Sequence, residues 1–481
     1  MDLPAGRRGR AVADRPVGRA RSGAARLARA AGGGDALGVT PRIRTMFFYY
    51  LQLAVRSFRR NRALTALMVL TLGLGIGASI TMLTVLKLLS GDPLPTRSAR
   101  LFTPVVNPWP AENATPADGM PRWWGNLMSY TDAMSLLHAH KARRQAVTAS
   151  TKAKIDPTQP GAHSFYGQGV MTTPEFFAMF GAPFAYGGGW STQDAENQAR
   201  VVVISSALND RLFGGGNSVG KMLRVNDHDY RILGVLKPWA PQPRFYALTF
   251  GEDAYGDGDA VYLPLQSARA DGMKPAGYSC WAPGNVAHLE TAPCAWVNLW
   301  VEFAQVSGAR AYKRFLSHYV QQQIALGRLH HPEVWLFSLT GFLDRQKVVP
   351  DDLRLQTNLA FGFLLICIVN TVGLLLAKCL WRSREIGVRR AMGAIRRTIF
   401  AQYMVESAIV GIAGGVLGLA FAEFGLLVIR HQPAPYAHLA YLDLPMFAAT
   451  FAVALVASLI AGLLPAWRAC AVVPAPQLKS V

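Results

Sequence analysis

Acidic residues are scarce in this 481-residue chain: 29 Asp and Glu stand against 49 Lys and Arg, a formal net charge of +20. Cysteine is scarcer still, with five in all. Zinc sites need a full set of closely spaced His and Cys ligands. The pairs His138/His140 and His330/His331 have no such company and read as solvated loop residues. No nucleophile can be matched to a base and an orienting group, so the chain offers no catalytic site. Gly215-Gly216-Asn217-Ser218-Val219-Gly220-Lys221-Met222 approaches a phosphate-binding loop, but Met222 stands where magnesium needs Ser or Thr. No cofactor is therefore expected on this chain. Neither zinc-finger spacing nor an aromatic RNA-binding signature accompanies the positive charge, which excludes nucleic acid as the expected partner. Residues 1–45 lack the apolar core of a secretory signal and read as a disordered basic tail.

What the chain does have is apolar length. Residues 64–89, 359–380, 399–429 and 444–464 are apolar runs, and about 20 such residues cross a bilayer. Between the first and second runs lie about 260 residues with no spanning segment, enough for one or two packed domains. The expected fold is a membrane protein of four transmembrane α-helices with a large extracytoplasmic α+β domain between the first and second. The character changes at Met46, which reads as the true start. Phe47, Tyr50, Leu51, Ala54, Val55 and Phe58 then recur at helical spacing opposite Gln52, Arg56, Arg59 and Arg60. Residues 46–62 thus read as an amphipathic helix on the membrane surface.

Expected boundaries follow: membrane helices at 63–90, 351–381 (with a stalk), 398–430 and 444–466, and the α+β domain at 91–350. A link lies at 382–397, a short loop at 431–443 and a tail at 467–481. Lys and Arg resist translocation. Arg56, Arg59, Arg60 and Arg62 precede the first helix, the 382–397 link is strongly basic, and Arg468 and Lys479 follow the fourth, whereas 431–443 has neither Lys nor Arg. Both termini and the basic link are expected in the cytoplasm, with the large domain outside.

The basic link, Arg382-Ser383-Arg384-Glu385-Ile386-Gly387-Val388-Arg389-Arg390-Ala391-Met392-Gly393-Ala394, lacks Pro and ends on a Gly-Ala stop. It reads both as an orientation signal and as a docking helix for a cytosolic partner. Gly73/Gly77, Gly411/Gly415 and Gly414/Gly418 form small-xxx-small steps that let helices approach closely, either within one chain or along a dimer seam. Asn370, Glu406 and Glu423 are polar groups in or near membrane depth, read first as structural. In the large domain, strands are expected at 200–205, 230–236, 260–264 and 297–303, and helices at 124–138, 174–180, 206–213 and 310–325. Cys280 and Cys294 both fall in that domain, where an oxidising compartment permits a disulfide. It would close a loop of about 15 residues, worth up to about 3 kcal/mol. Cys367, Cys379 and Cys470 lie in or beside membrane helices.

Several of these segments together resemble the MacB/FtsX-type permeases of ATP-driven transport systems. The likeness runs from about Met46 to the end. It is carried by Asn370-Thr371-Val372-Gly373-Leu374-Leu375-Leu376-Ala377, then residues 384–394, Gln402 and Glu406, and by Pro465-Ala466-Trp467-Arg468-Ala469 with Pro474 and Leu478. The large domain adds Thr173-Pro174-Glu175-Phe176-Phe177, Leu212-Phe213-Gly214, Val219-Gly220-Lys221 and Gly234-Val235. Trp123-Trp124, residues 187–189 and the Cys280–Cys294 segment depart from the pattern. The resemblance implies a permease without its own ATPase, ATP being bound by a cytosolic ABC ATPase subunit docked on Arg384–Ala394. It implies a second permease copy (homodimer or related heterodimer), membrane lipid around the helices and, for efflux, a periplasmic membrane-fusion protein. The work implied is export of a periplasmic antibiotic, peptide, lipid or lipoprotein. A signalling relay on the same architecture, activating a cell-wall hydrolase or sensing a peptide, and a non-transport membrane receptor are the alternatives.

Overall fold

The computed structural model describes residues 62–110, 126–157, 163–248, 254–256, 258–283, 286–433 and 436–471. The basic tail, the Met46 start, nearly all of the expected amphipathic helix and Trp123-Trp124 lie outside the described residues.

Among the described residues, four helices are long and apolar enough to cross a membrane: Arg62–Leu89, Asp351–Trp381, Arg396–Arg430 and Leu444–Ala471. Glycines bring them together. A Cβ on Gly77 would lie 2.5 Å from the Phe421 Cβ and 3.0 Å from the Gly418 carbonyl oxygen. Gly418 in turn meets Ile76 and the Gly73 carbonyl, and Gly73 faces Leu417, so the first and third helices cross backbone to backbone. Gly411 and Gly415 face Ser458 and Ala454 of the fourth helix. Gly75 faces Cys367 of the second, where Ser79 donates to the Ala360 carbonyl at 3.0 Å. Within the chain, each of these small-xxx-small steps faces a neighbouring spanning helix. Gly77→Leu should therefore lower the melting temperature of detergent-solubilised protein, the overpacking costing about 1–3 kcal/mol. Leu74→Phe, on the exposed face, should leave it unchanged, and equal melting of both variants would contradict this packing.

Between the first and second membrane helices the chain folds into a mixed sheet with helices on it. Its strands are β1 (Leu101–Val106), β2 (Leu127–Ser129), β3 (Arg144–Asp156), β4 (Phe165–Thr172), β5 (Phe184–Gly187), β6 (Val201–Ile204), β7 (Met222–Val225), β8 (His228–Leu236), β9 (Val261–Pro264), β10 (Ser279–Cys280), β11 (Cys294–Glu302) and β12 (Val334–Ser338). The main order is β12-β1-β11-β3-β4-β9-β6-β8-β5, with β2 and β10 on β11 and β7 joining β3 and β8. β4–β9 and β6–β8 are parallel. Every residue of β11 is buried, as in a strand covered on both faces. A register shift between Ala295 and Val297 puts Trp296 in the core cluster of Val297, Leu299 and Val301, although strict alternation would oppose it to them. That face is covered by helices Tyr130–His138 and Gly308–Ala325. Phe176, Phe180, Tyr246, Tyr262, Trp300 and Phe342 fill the other.

Strands were expected at the positions of β6, β8, β9 and β11, and stand there. The helix expected over 124–138 is shorter: Leu127–Ser129 pairs with β11 as β2, and the helix opens at Tyr130 with Ser129 as its N-cap, accepting from the Asp132 amide. Cys280 and Cys294 face each other across β10 and β11 and are joined by a disulfide. The loop resembling a phosphate-binding motif leads into β7 rather than into a helix, and its Ser218 hydroxyl donates to Asn209, so it offers no helix N-terminus to a phosphate.

The sheet domain is tied to the membrane helices at their shared end. The Tyr255 hydroxyl donates to the Leu89 carbonyl at 2.8 Å, and its ring packs edge-on to Tyr436. Lys87, in the last turn of the first membrane helix, pairs with Asp443 at 2.6 Å and holds that carboxyl below its ordinary range.

Candidate functional site

The second membrane helix stops at Trp381, and after Arg382 a separate helix, Ser383–Ala391, begins. Its charge order suits it to this short life. Glu385 lies in the first turn and Arg389 and Arg390 in the last, each complementing the helix dipole. Glu385 and Arg389 also pair at i,i+4 with the acid N-terminal, the favourable sense. The end is a Schellman motif. The Gly393 amide donates to the Arg390 carbonyl at 3.1 Å and the Ala394 amide to that of Arg389 at 3.0 Å. Gly393 sits at φ +100°, where a side chain is strained. Ile395 is then extended, and the third membrane helix starts at Arg396.

One side of this helix is fastened to the bundle. Ile386 is buried among Cys379, Ile399, Tyr403, Ala466 and Ala469, and Gly387 is buried beside it. Arg389 donates to the Gln402 side chain at 3.2 Å and Arg390 to the Cys470 carbonyl at 3.3 Å, so both reach back to membrane helices. Arg384, Glu385, Val388, Ala391 and Met392 are exposed. Val388 and Met392, one helical turn apart, are 46% and 76% exposed, and Ile395, past the Gly393 turn, is 64% exposed; Arg384, Arg396 and Arg397 are exposed beside them in the chain.

Beneath this helix lies a feature that sequence reading missed. Lys378 of the second membrane helix and Glu406 of the third form an ion pair, with side chains 1% and 2% exposed. Glu406 stands one turn beyond Gln402, the acceptor for Arg389. One face of the third helix thus holds both the end of the second helix and the short helix after it. A lysine in the last turn of a spanning segment ordinarily snorkels to the interface, so Lys378 alone gave no signal. The other polar residues noted at membrane depth differ: Glu423 pairs with Arg430 at 2.6 Å and Asn370 is exposed on the second helix.

Two family profiles match the chain. The MacB-like periplasmic core domain covers residues 65–297 and the FtsX-like permease C-terminal domain covers 358–474. A macrolide export ATP-binding/permease protein MacB from Rhodospirillum rubrum is 27% identical, aligned over 97% of this chain and 63% of its own. Another from Syntrophobacter fumaroxidans is 22% identical over 89% and 63%. The pyoverdine export ATP-binding/permease protein PvdT of Pseudomonas syringae is 25% identical over 66% and 43%. The chain therefore spans less than two thirds of the length of these curated relatives. The crystal structure of the periplasmic region of MacB from Actinobacillus actinomycetemcomitans aligns with 52% of this chain and 94% of its own, with a TM-score of 0.34 and 14% identity.

Proposed function

We propose, from the premise that this chain belongs to the MacB/FtsX-type permeases of ABC transporters, that Ser383–Ala391 is the point at which a cytosolic ATPase drives it. It is a multi-pass inner-membrane protein with a periplasmic-type α+β domain between its first and second spanning helices. The observation that carries the proposal is the division of the short helix. Its inner side is anchored to all three adjoining spanning helices, and its outer side presents Val388 and Met392 to solvent, with exposed Ile395 just past the Gly393 turn. Exposed apolar side chains on an anchored helix, with arginines beside them, are suited to seating in a groove on a protein surface. Glu385, Arg389 and Arg390 then act mainly by stiffening and anchoring the helix, and Gly393 by turning the chain back toward the bilayer.

In this reading the basic link and both ends of the membrane domain lie in the cytoplasm and the sheet domain outside. Two chains pair around a two-fold axis, the commonest closed arrangement. ATP-driven closure of two ATPase units moves the short helices, and the spanning helices pass that motion to the sheet domains, which act on a substrate outside the membrane. The relatives named above are called exporters of macrolides and pyoverdine, which favours export over signalling. Antibiotics, peptides, lipids and lipoproteins are the substrate classes proposed.

Affinity purification of the tagged protein from its native membrane tests the docking step. Wild type should bring an ATPase with it. Val388→Glu/Met392→Glu should lower that recovery by about thirtyfold or more, as loss of a docking hot spot does. Its melting should be unchanged, because both side chains are exposed. Equal recovery with the variant, or no ATPase with well-folded wild type, would remove the proposal.

A further inference from the structure

Four arginines of the sheet domain converge on one open cavity of about 340 Å³: Arg97, Arg100, Arg143 and Arg144. Two are held in place. Arg97 donates to the Ala178 and Met179 carbonyls, at 2.8 and 3.2 Å, at the end of helix Phe176–Phe180. It lies across Gly181, at φ +70°, where a Cβ would stand 2.7 Å from the arginine Nε. Arg144 pairs with Glu302 at 2.9 Å and with Glu175 at 3.3 Å. Arg100 and Arg143 have no acidic partner among the described residues. Four positive charges against those of Glu175 and Glu302 leave a surplus of two. Like charges brought together around a cavity repel one another unless an anion joins them. Planar guanidinium groups match phosphate oxygens in pairs.

The cavity also lies close along the chain to the first membrane helix. Ser98, between Arg97 and Arg100, donates to Asp92, which is three residues beyond Leu89 at the end of the first membrane helix. We infer that this cavity is a binding site for a phosphate group carrying about two negative charges, supplied either by the headgroup of an anionic lipid or by a free phosphate ester. The inference stands on the sheet domain alone and does not depend on how an ATPase meets the chain.

The test titrates inorganic pyrophosphate into the full chain in phosphatidylcholine nanodiscs by calorimetry. Saturable binding is expected, weakened about 10- to 100-fold in Arg100→Ala/Arg143→Ala, since each lost charged hydrogen bond removes about tenfold. Lys152→Ala/Arg224→Ala, toward the opposite end of β3 from Arg144, should bind as wild type does. The melting temperature of each variant, read alongside, separates lost binding from lost folding. A parallel titration uses nanodiscs containing cardiolipin. Competition that weakens pyrophosphate binding there supports a lipid headgroup as the natural source, and an unchanged titration supports a free phosphate. No saturable binding by wild type, or equal binding by folded Arg100→Ala/Arg143→Ala, overturns the site.

Discussion

Glu406→Leu should destabilise the membrane bundle by about 3–5 kcal/mol, the cost of leaving a buried charge without its partner. Lys378 has no route to water, for its side chain is 1% exposed against the third helix. Lys378→Met/Glu406→Leu should recover most of that loss, because a buried pair replaced by apolar groups of similar size is often neutral. Thermal melting in detergent across the four proteins gives the coupling energy of the pair. Additive losses in the double variant would show that the two charges do not depend on each other. The single variant should also release the short helix, because Glu406 and Gln402 share a face. Faster proteolysis at the Arg384–Arg397 cluster would report that release separately from global melting.

The second large effect lies in the sheet domain. Asp259→Leu should cost about 3–5 kcal/mol there, again by removing the buried carboxylate that the Arg244 guanidinium pairs with. Asp259 is completely buried, and burial pushes its carboxyl above the ordinary range against the opposing pull of Arg244. Desolvation therefore outweighs attraction, which is why Arg244→Met/Asp259→Leu should melt close to wild type. It should fall short by about 1 kcal/mol, since the Tyr246 hydroxyl also donates to Asp259, at 2.8 Å, and would lose its acceptor. Trp239 stacks on Tyr246 and Trp300 packs beside it, so tryptophan fluorescence follows this region directly. A single variant as stable as wild type would refute the account.

The membrane helices were legible because the bilayer imposes length and apolarity on each segment by itself. Strands β6, β8, β9 and β11 were legible for a similar reason, being compact apolar runs. β3 was not. Its Thr148, Ser150 and Thr151 are buried because their hydroxyls donate to carbonyls of Tyr246, Ala247 and Lys274, partners about 100 residues or more away along the chain. A polar strand sealed by distant acceptors carries no periodic apolar signal. The short helix after the second spanning helix was visible as a basic, Pro-free link with a glycine stop. Which of its residues face outward was not, because that depends on Gln402 and on the Cys470 carbonyl. The same holds for Lys378, unremarkable until its helix is packed against Glu406, which the sequence marked only as a polar group near membrane depth.

One consequence concerns the freedom of motion that the fold leaves to its spanning helices. β1 follows the first of them and β12 precedes the second, and the two strands are direct antiparallel neighbours over five residue pairs, from Phe102↔Ser338 to Val106↔Val334. A piston stroke of one helix past the other would have to shear this ladder, and a slip of one residue, about 3.3 Å, exchanges every inward side chain for an outward one. The paired strands thus behave as a clamp across the two shafts. Axial sliding beyond what residues 90–100 and 339–350 can absorb strains the ladder, while tilting or twisting of both helices as a unit leaves it whole.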